Sequence, residues 1–339
     1  MTSRERLRLL RVLEEQPLAV NVTDIDGRLV FSDIPERLVD QLQRELGDAF
    51  TRAMVIDDAE RAFIASLPEV DAAPARWRAL YDSGALAARV SALASTGETA
   101  TYFMAAVNTS DESVLGRTGV LYFTCTKGCH FCQYRGFTDR SLSVDECAEL
   151  MLALQEGGAH NVQWLSPTAY TGFLLRALLR AAEQGFALPI VHKSEGEDAL
   201  AQLALLDDVV DIYVPDAKFV RAETASKIGL SQGYAERLPL ALREMQRQVG
   251  PLSRRRGTLL AQSGVLARHL LMPDGVDEAA LVFALLAEID PHMAVHLMTL
   301  YQPFDRAREM PGLDRPTTVN EGERAIAALT ATGLRAMIR

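Results

Sequence analysis

Three of the chain's four cysteines, Cys125, Cys129 and Cys132, stand in one C-x3-C-x2-C run, GVLYFTCTKGCHFCQYRGF, at 119–137. Thiols that close together bind a soft metal, do redox work, or hold an iron–sulfur cluster. A zinc site would recruit His130 or a distant ligand to make Cys3His. Structural zinc usually ties together a small loop-rich module, and none is visible here; His130 is also wedged between the thiols. A redox pair needs only the C-x-x-C portion and leaves the third cysteine idle. A cubane held by three cysteines uses all of them and leaves one iron open to a ligand from solution. Cys147, on a helical pattern, reads as a small apolar core residue.

The elements around this loop have a regular rhythm. From residue 119 onward, strand-like and helix-like runs alternate in six units: GVLYFT, NVQWLS, LPIVHKS, VDIYVPDAK, GVLARHLLMP and MAVHLMTLY, each followed by a helical pattern. Short apolar strands suit a parallel sheet buried on both faces. Right-handed strand–helix–strand repeats curl into a barrel or an open sheet, and six units fall short of the eight in a closed (β/α)8 barrel. A partial barrel is therefore expected, with its ligands at the carboxyl ends of the strands. The three cysteines lie just past the first of those ends.

Residues 1–112 have a different texture, rich in Ala, Leu, Arg and Glu and mostly helical in pattern, with helices expected near 36–54, 57–66 and 74–96. One hairpin interrupts them, at Asp26-Gly27, where two alternating runs meet at a two-residue turn. Asp24 and Asp26 lack the remaining spacing of a calcium loop. The polar stretch NTSDES at 108–113 reads as a linker.

Composition narrows the class. The chain has 339 residues, 48% hydrophobic and 24% charged, with net charge −10. That is ordinary for a globular chain of this length, and the acidity argues against a nucleic-acid or membrane-surface binder. The opening MTSRERLRLLRVLEEQ is charged and amphipathic rather than a signal peptide, and no run of eighteen apolar residues occurs. Four cysteines are too few for a disulfide framework, which points to a reducing cytoplasm.

The loop CTKGCHFCQ, with aromatic Phe131 before the last cysteine, resembles that of the radical S-adenosylmethionine (SAM) superfamily. Downstream, ECAELMLALQEGGAHNVQWLSPT, LPIVHKSEG, VVDIYVPDAKF, LREMQRQVGPL, ARHLLMPDG and LMTLYQPFDRARE resemble the branch similar to pyruvate formate-lyase-activating enzyme. The resemblance covers about 117–337 and implies a (β/α)6 partial barrel there; residues 1–112 carry no such resemblance and read as a cap over the barrel or a docking surface for a protein partner. It implies one [4Fe-4S] cluster on Cys125, Cys129 and Cys132 and SAM on the open iron. An electron from a reductase or flavodoxin-type donor then yields a 5′-deoxyadenosyl radical that takes a hydrogen atom from a substrate.

The resemblance also assigns residues. Phe131, Ser166, Thr168, Lys193, Ser194, Glu195 and His269 fall where SAM is bound, and Asp216, Lys218 and Tyr301 where chemistry occurs. Lys193 and Glu195 depart from the Asn-Thr-Ser-Gly-like residues of related sequences, and the Gly-Gly-Glu type segment is absent near Ser166-Pro167-Thr168, where the bland reading is a helix cap. Asp216 and Lys218, two apart, share a strand face. Arg268 and His269 are adjacent, so one faces the chamber, and His269 is the expected one. His160, His192, His292 and His296 show no partner pattern and read as structural or surface residues. Arg254–Arg256 reads as a solvated loop. A small organic substrate is the first expectation, in biosynthesis of a sugar, nucleoside or other natural product. The alternatives are an activase installing a glycyl radical on a protein partner and a zinc-binding interaction module.

Overall fold

The computed structural model describes residues 21–25, 28–32, 50–51, 58–93, 98–109, 112–135 and 137–338. In the N-terminal region β1 (Asn21–Ile25) pairs antiparallel with β2 (Arg28–Ser32), Ile25 facing Arg28, which is the hairpin read at Asp26-Gly27. β3 (Phe50–Thr51) runs parallel to β2, so the end of the helix expected over 36–54 is a strand; the rest of that call lies outside the described residues. Helix α1 (Asp58–Ser66) forms as read. The third expected helix is two, α2 (Trp77–Asp82) and α3 (Ala85–Ser91), broken at Gly84, which takes a left-handed φ of 77°. Strand β4 (Glu69–Val70) lies between α1 and α2.

The linker expected at 108–113 is partly a strand end, at Asn108 and Thr109, and partly a tight turn, at Ser113; residues 110–111 lie outside the described residues. Residues 99–109 form one long strand, β5 (Thr99–Thr109). Its run TYFMAAV is β-branched, aromatic and apolar, and it pairs antiparallel along β6 (Arg117–Phe123). A tight turn at Ser113–Leu115 joins them, with Val114 and Leu115 buried. Glu112, within the stretch read as a linker, is fully buried.

The six strand–helix units fold as read. After β6 come β7 (Arg140–Ser143) and α4 (Val144–Glu156), then β8 (Asn161–Leu165) and α5 (Thr171–Glu183), then β9 (Ile190–Lys193) and α6 (Leu200–Leu206). β10 (Ile212–Tyr213) leads through α7 (Ala222–Lys227) to α8 (Tyr234–Val249). β11 (Ser253–Arg255) and β12 (Ala261–Leu270) precede α9 (Val276–Ile289); β13 (Ala294–Met298) precedes α10 (Val319–Ala331), and β14 (Arg335–Ile338) ends the series. Ser143 caps α4 in a reciprocal box with Glu146, which fixes where the chain turns from strand to helix.

Strands β6, β8, β9, β10, β12, β13 and β14 are parallel neighbours in that order. β14 is a seventh parallel strand that the six-unit count did not include. The free edge of β6 is taken by β5, and β5 carries β7 on its far side, so the curved sheet ends without β14 meeting β6. This is the mixed α/β partial barrel expected. The arginine run at 254–256 starts in β11, and Arg254 bonds Glu69 at 2.5 Å, so it is a paired edge rather than a solvated loop. Among the described residues no helix is long and apolar enough to cross a membrane.

Alternation along the strands sorts the residues into layers. Trp164, Tyr213 and Val265 face outward into the helices. Val191, Ile212, Val214, Leu266, Ala294 and Met337 face inward, where Phe63 and Ile64 of α1 and Leu67 just after it pack with Val114 and Leu115 to close the barrel floor. Two residues further along the same strands stand Lys193, Asp216, Arg268 and His296, which line the cavity above that floor.

Candidate active site

The cysteine loop leaves β6 at Phe123 and is held from outside by backbone bonds. The His130 amide donates to the Ile228 carbonyl (2.9 Å), and the Ala307 amide donates to the His130 carbonyl (2.9 Å). Gly229, at φ 81°, lets the two segments touch: a Cβ there would stand 2.3 Å from the Gly128 carbonyl oxygen. Lys127 pairs with Glu197 (2.8 Å), and Arg135 with Asp305 (2.8 Å). A rigid loop of this kind is what places ligating side chains reproducibly.

All three cysteines are half-buried, unbridged, and on the wall of one cavity of about 680 Å3. Cys125 donates its thiol to Glu195 Oε1 (3.1 Å) and accepts from the Lys127 amide (3.4 Å). Burial and then Glu195 push the Cys125 thiol up to about 12. Burial also pushes Cys129 up, outweighing the opposing pull of Lys218, with Cys132, Glu195 and Asp216 adding to the rise. Among the described residues no three His, Cys, Asp or Glu side chains are already drawn together as an ion site. The donor set nonetheless fits a cationic iron centre: three soft sulfurs face one space, and a bound cation reverses the penalty that keeps them protonated. Cys147 is in the apolar core, as read.

Beneath the cysteines lies a layer of buried charge. Glu112 enters it from the β5–β6 turn. Lys193 Nζ stands 3.0 Å from its carboxylate, Arg268 Nε 2.6 Å and His296 Nδ1 3.3 Å. Burial alone would raise the Glu112 carboxyl, but Lys193, Arg268 and His296 outweigh it and hold it well below the usual range. Arg268 also meets Asp216 (3.0 Å), and Asp216 meets Lys218 (2.7 Å). Burial would likewise raise Asp216, but Lys218 and then Arg268 hold it down. Lys218 stays protonated: burial opposes its charge, and Asp216 and Cys129 overcome that.

The sequence-assigned residues divide. Phe131, Ser166, Lys193, Ser194, Glu195, Asp216, Lys218 and Tyr301 line the cavity with the three cysteines. Ser166 has a left-handed φ of 57°, a strained turn at a strand end. Thr168 does not line it; its hydroxyl donates to Asp198 (2.9 Å) and, more weakly, to Glu195 (3.4 Å). Neither Ser166 nor Thr168 caps α5, whose start has no side-chain cap, so the bland reading fails. Ser194 also donates to Asp198 (2.5 Å), so Asp198 orients two residues of the rim. Tyr301 is buried, donates its hydroxyl to Leu313 O (2.9 Å) and meets the Phe131 ring edge-on at 6.5 Å, a posture that supports the loop.

His269 is a correction. It is not among the residues lining the cavity: its Nδ1 bonds Ala217 O (2.8 Å) and its ring packs on Phe283 of α9 at 5.3 Å. The register explains this, since Leu266 and Arg268 share the inner face and their neighbour must point out. His296, read as structural or surface, is opposite Arg268 in β13 and lines the cavity. His192 faces out, bonded to Asp198 (3.0 Å). Sequence reasoning missed Glu112, one of two adjacent acids in a polar run that carries no periodic signal. It could have found His296 by carrying the inner-face alternation of β12 across to β13.

No protein-family model matches the chain. It is similar to an uncharacterized protein of Methanocaldococcus jannaschii, 23% identical over 231 residues, which is 64% of this chain and 63% of the relative. The match thus spans less than two thirds of that relative's length. Among solved structures it is similar to a radical SAM methyltransferase from Sphaerobacter thermophilus, with TM-score 0.46 and 18% identity over 66% of each chain. It is also similar to a domain of pyruvate-formate lyase-activating enzyme from Bacteroides vulgatus, with TM-score 0.40 and 15% identity over 53% of this chain and 99% of that one. What the site can do rests on its own chemistry: three thiols on one rigid loop, at the carboxyl end of a parallel sheet, over a charged chamber.

Proposed function

We propose that this chain is a radical SAM enzyme acting on a small organic substrate in a biosynthetic pathway. The observation that carries the reading is the meeting of C-x3-C-x2-C thiols with charged residues from successive parallel strands on one cavity. Cys125, Cys129 and Cys132 would hold one [4Fe-4S] cluster. When bound and reduced by a reductase or flavodoxin-type donor, that cluster supplies the electron that splits the SAM sulfonium into methionine and a 5′-deoxyadenosyl radical.

The chain's own residues do the rest. Glu195 Oε1 is the acceptor for the Cys125 proton as that thiol becomes a ligand. Lys193 and Lys218 each keep N–H capacity beyond their carboxylate partners and face the cavity, where they bind anionic groups of SAM or substrate. Asp216, fixed by Lys218 and Arg268, accepts hydrogen bonds from amino or hydroxyl groups. The apolar floor and the wall of β5 exclude water from below and from one side. A cavity of about 680 Å3 is of the size that holds small molecules, which supports a small substrate over a protein chain.

The test is anaerobic reconstitution with iron and sulfide, reduction, and addition of SAM, reading 5′-deoxyadenosine by chromatography. Product from the wild type and none from Cys129→Ala is expected. Purified protein that takes up zinc and no iron would overturn the reading in favour of a zinc module. SAM cleavage that depends on a glycine-radical protein and on no small molecule would replace the substrate class with an activase.

A further inference from the structure

Resting on the reading above, the geometry points to a substrate that carries a planar aromatic or heteroaromatic ring, seated on an aromatic shelf at the cavity mouth. Four rings build the shelf: Phe103 from β5, Tyr122 from β6, and Tyr134 and Phe137 from the segment after Cys132. Phe103 and Phe137 are stacked, with centroids 5.0 Å apart and planes 27° from parallel. Phe103 lies 5.7 Å from Tyr134 and 5.5 Å from Tyr122. Phe103, Tyr134 and Phe137 line the same cavity as the cysteines.

The shelf is left open. Phe137 is 52% exposed, although it is a large apolar ring within stacking distance of a second one. Across the mouth stand Leu300, 79% exposed, and Phe304, 36% exposed, which line the same cavity. Among the described residues seven large hydrophobic side chains are exposed, and three of them gather at this one opening. Scattered exposed apolar residues need no explanation, but a concentration at the rim of a reaction chamber marks a ligand surface.

Shape and charge choose the occupant. Ring faces at stacking distance select flat π systems, because offset stacking rewards another ring and offers an aliphatic sugar only its C–H face. The inner wall of the cavity, above the apolar floor, is ionic: Lys193, Asp216, Lys218 and Arg268. A molecule that spans the cavity is therefore flat and apolar at the mouth end and polar or ionic at the inner end. The shelf is continuous with the chamber and shares its size limit, which fits a small molecule. Phe103 stands on β5, outside the six-unit barrel, so the shelf is built partly by the N-terminal region.

The experiment is anaerobic equilibrium dialysis of the cluster-loaded protein with saturating SAM, against tryptophan, 4-hydroxybenzoate, adenosine and glucose 6-phosphate. The ring-bearing probes are expected to be retained and the sugar phosphate not. Phe137→Ala should weaken ring probes at least about fivefold, the low end for one lost stacking partner, and leave SAM affinity unchanged. Equal retention of all four probes, or of none, overturns the inference; retention of none leaves the mouth to an apolar protein segment. Loss of SAM affinity in Phe137→Ala also overturns it, because the shelf would then seat the adenine of SAM. Iron content and 5′-deoxyadenosine from the same sample report on the radical SAM reading separately.

Discussion

Glu112→Gln tests the charge layer. The substitution keeps the shape and removes the charge from a carboxylate with no exposed surface. It leaves Lys193 without its 3.0 Å carboxylate partner, and Arg268 with Asp216 at 3.0 Å. Removing one partner of a buried ion pair costs about 3–5 kcal/mol, because the remaining charge stays desolvated. Arg268 retains a carboxylate, so the lower end, about 3 kcal/mol, is expected. For a chain of this length, with an unfolding entropy of about 0.7 kcal/mol/K, that is a fall in melting temperature of about 4 °C.

Lys193→Met in the same background removes the stranded ammonium. The double variant should be more stable than the sum of the single changes by about 0.5–3 kcal/mol. The pH dependence has a definite sign. The folded carboxyl is held below its unfolded value, so its contribution is present above about pH 4.3 and is lost as pH falls through the folded value. The gap between wild type and variant should therefore be constant at neutral pH and shrink below about pH 4. Urea and thermal unfolding, followed by circular dichroism, measure both quantities. A Glu112→Gln variant within about 1 °C of wild type, or strict additivity in the double variant, would refute the role assigned to this layer.

Three further outcomes follow from the same geometry. Gly229→Ala should displace the cysteine loop, since its Cβ would stand 2.3 Å from the Gly128 carbonyl oxygen at a φ of 81°; iron bound per chain should fall several-fold, and normal loading would show that the loop does not depend on that contact. His269→Phe should cost stability through the lost bond to Ala217 O and leave SAM affinity within about twofold, whereas Arg268→Met should weaken it about tenfold or more; isothermal titration separates them, and the reverse ranking would restore His269 to the chamber. Burial pushes the Asp211 carboxyl up to about 7, against the pull of the Arg76 and Ile190 amides. Its folded pKa is thus above the unfolded value, and stability from this group declines as pH rises from about 4 to 7. The stability of Asp211→Asn relative to wild type should improve over that window and level off above it, and a flat difference in urea midpoints would contradict the shift.

Several features were legible in the chain before folding. The strand–helix units announced themselves because a strand buried on both faces is an unbroken apolar run, and a helix covering it has a 3.6-residue stripe. The Asp26-Gly27 hairpin was readable for the same local reason, since a two-residue turn needs particular residues. Spacing alone marked Cys125, Cys129 and Cys132 as a set, and alternation alone put Asp216 and Lys218 on one face.

Other features depended on partners far away in sequence. NTSDES looked like a linker, yet its Glu112 is the counter-ion for Lys193, Arg268 and His296, the last of them 184 positions away. The choice between Arg268 and His269 could not be made from one strand, because both orders alternate equally well. It was decided by the register of β12 against β13 and by the Phe283 ring on the outer side. Phe103, Tyr134 and Phe137 show no common period, and only the antiparallel return of β5 along β6 brings them together. Local sequence determined which elements form and which thiols stand on one loop, because propensity and periodicity are properties of neighbouring residues. Tertiary structure decided which charges meet and which face of each strand sees the chamber, because pairing and desolvation depend on what is brought near in space.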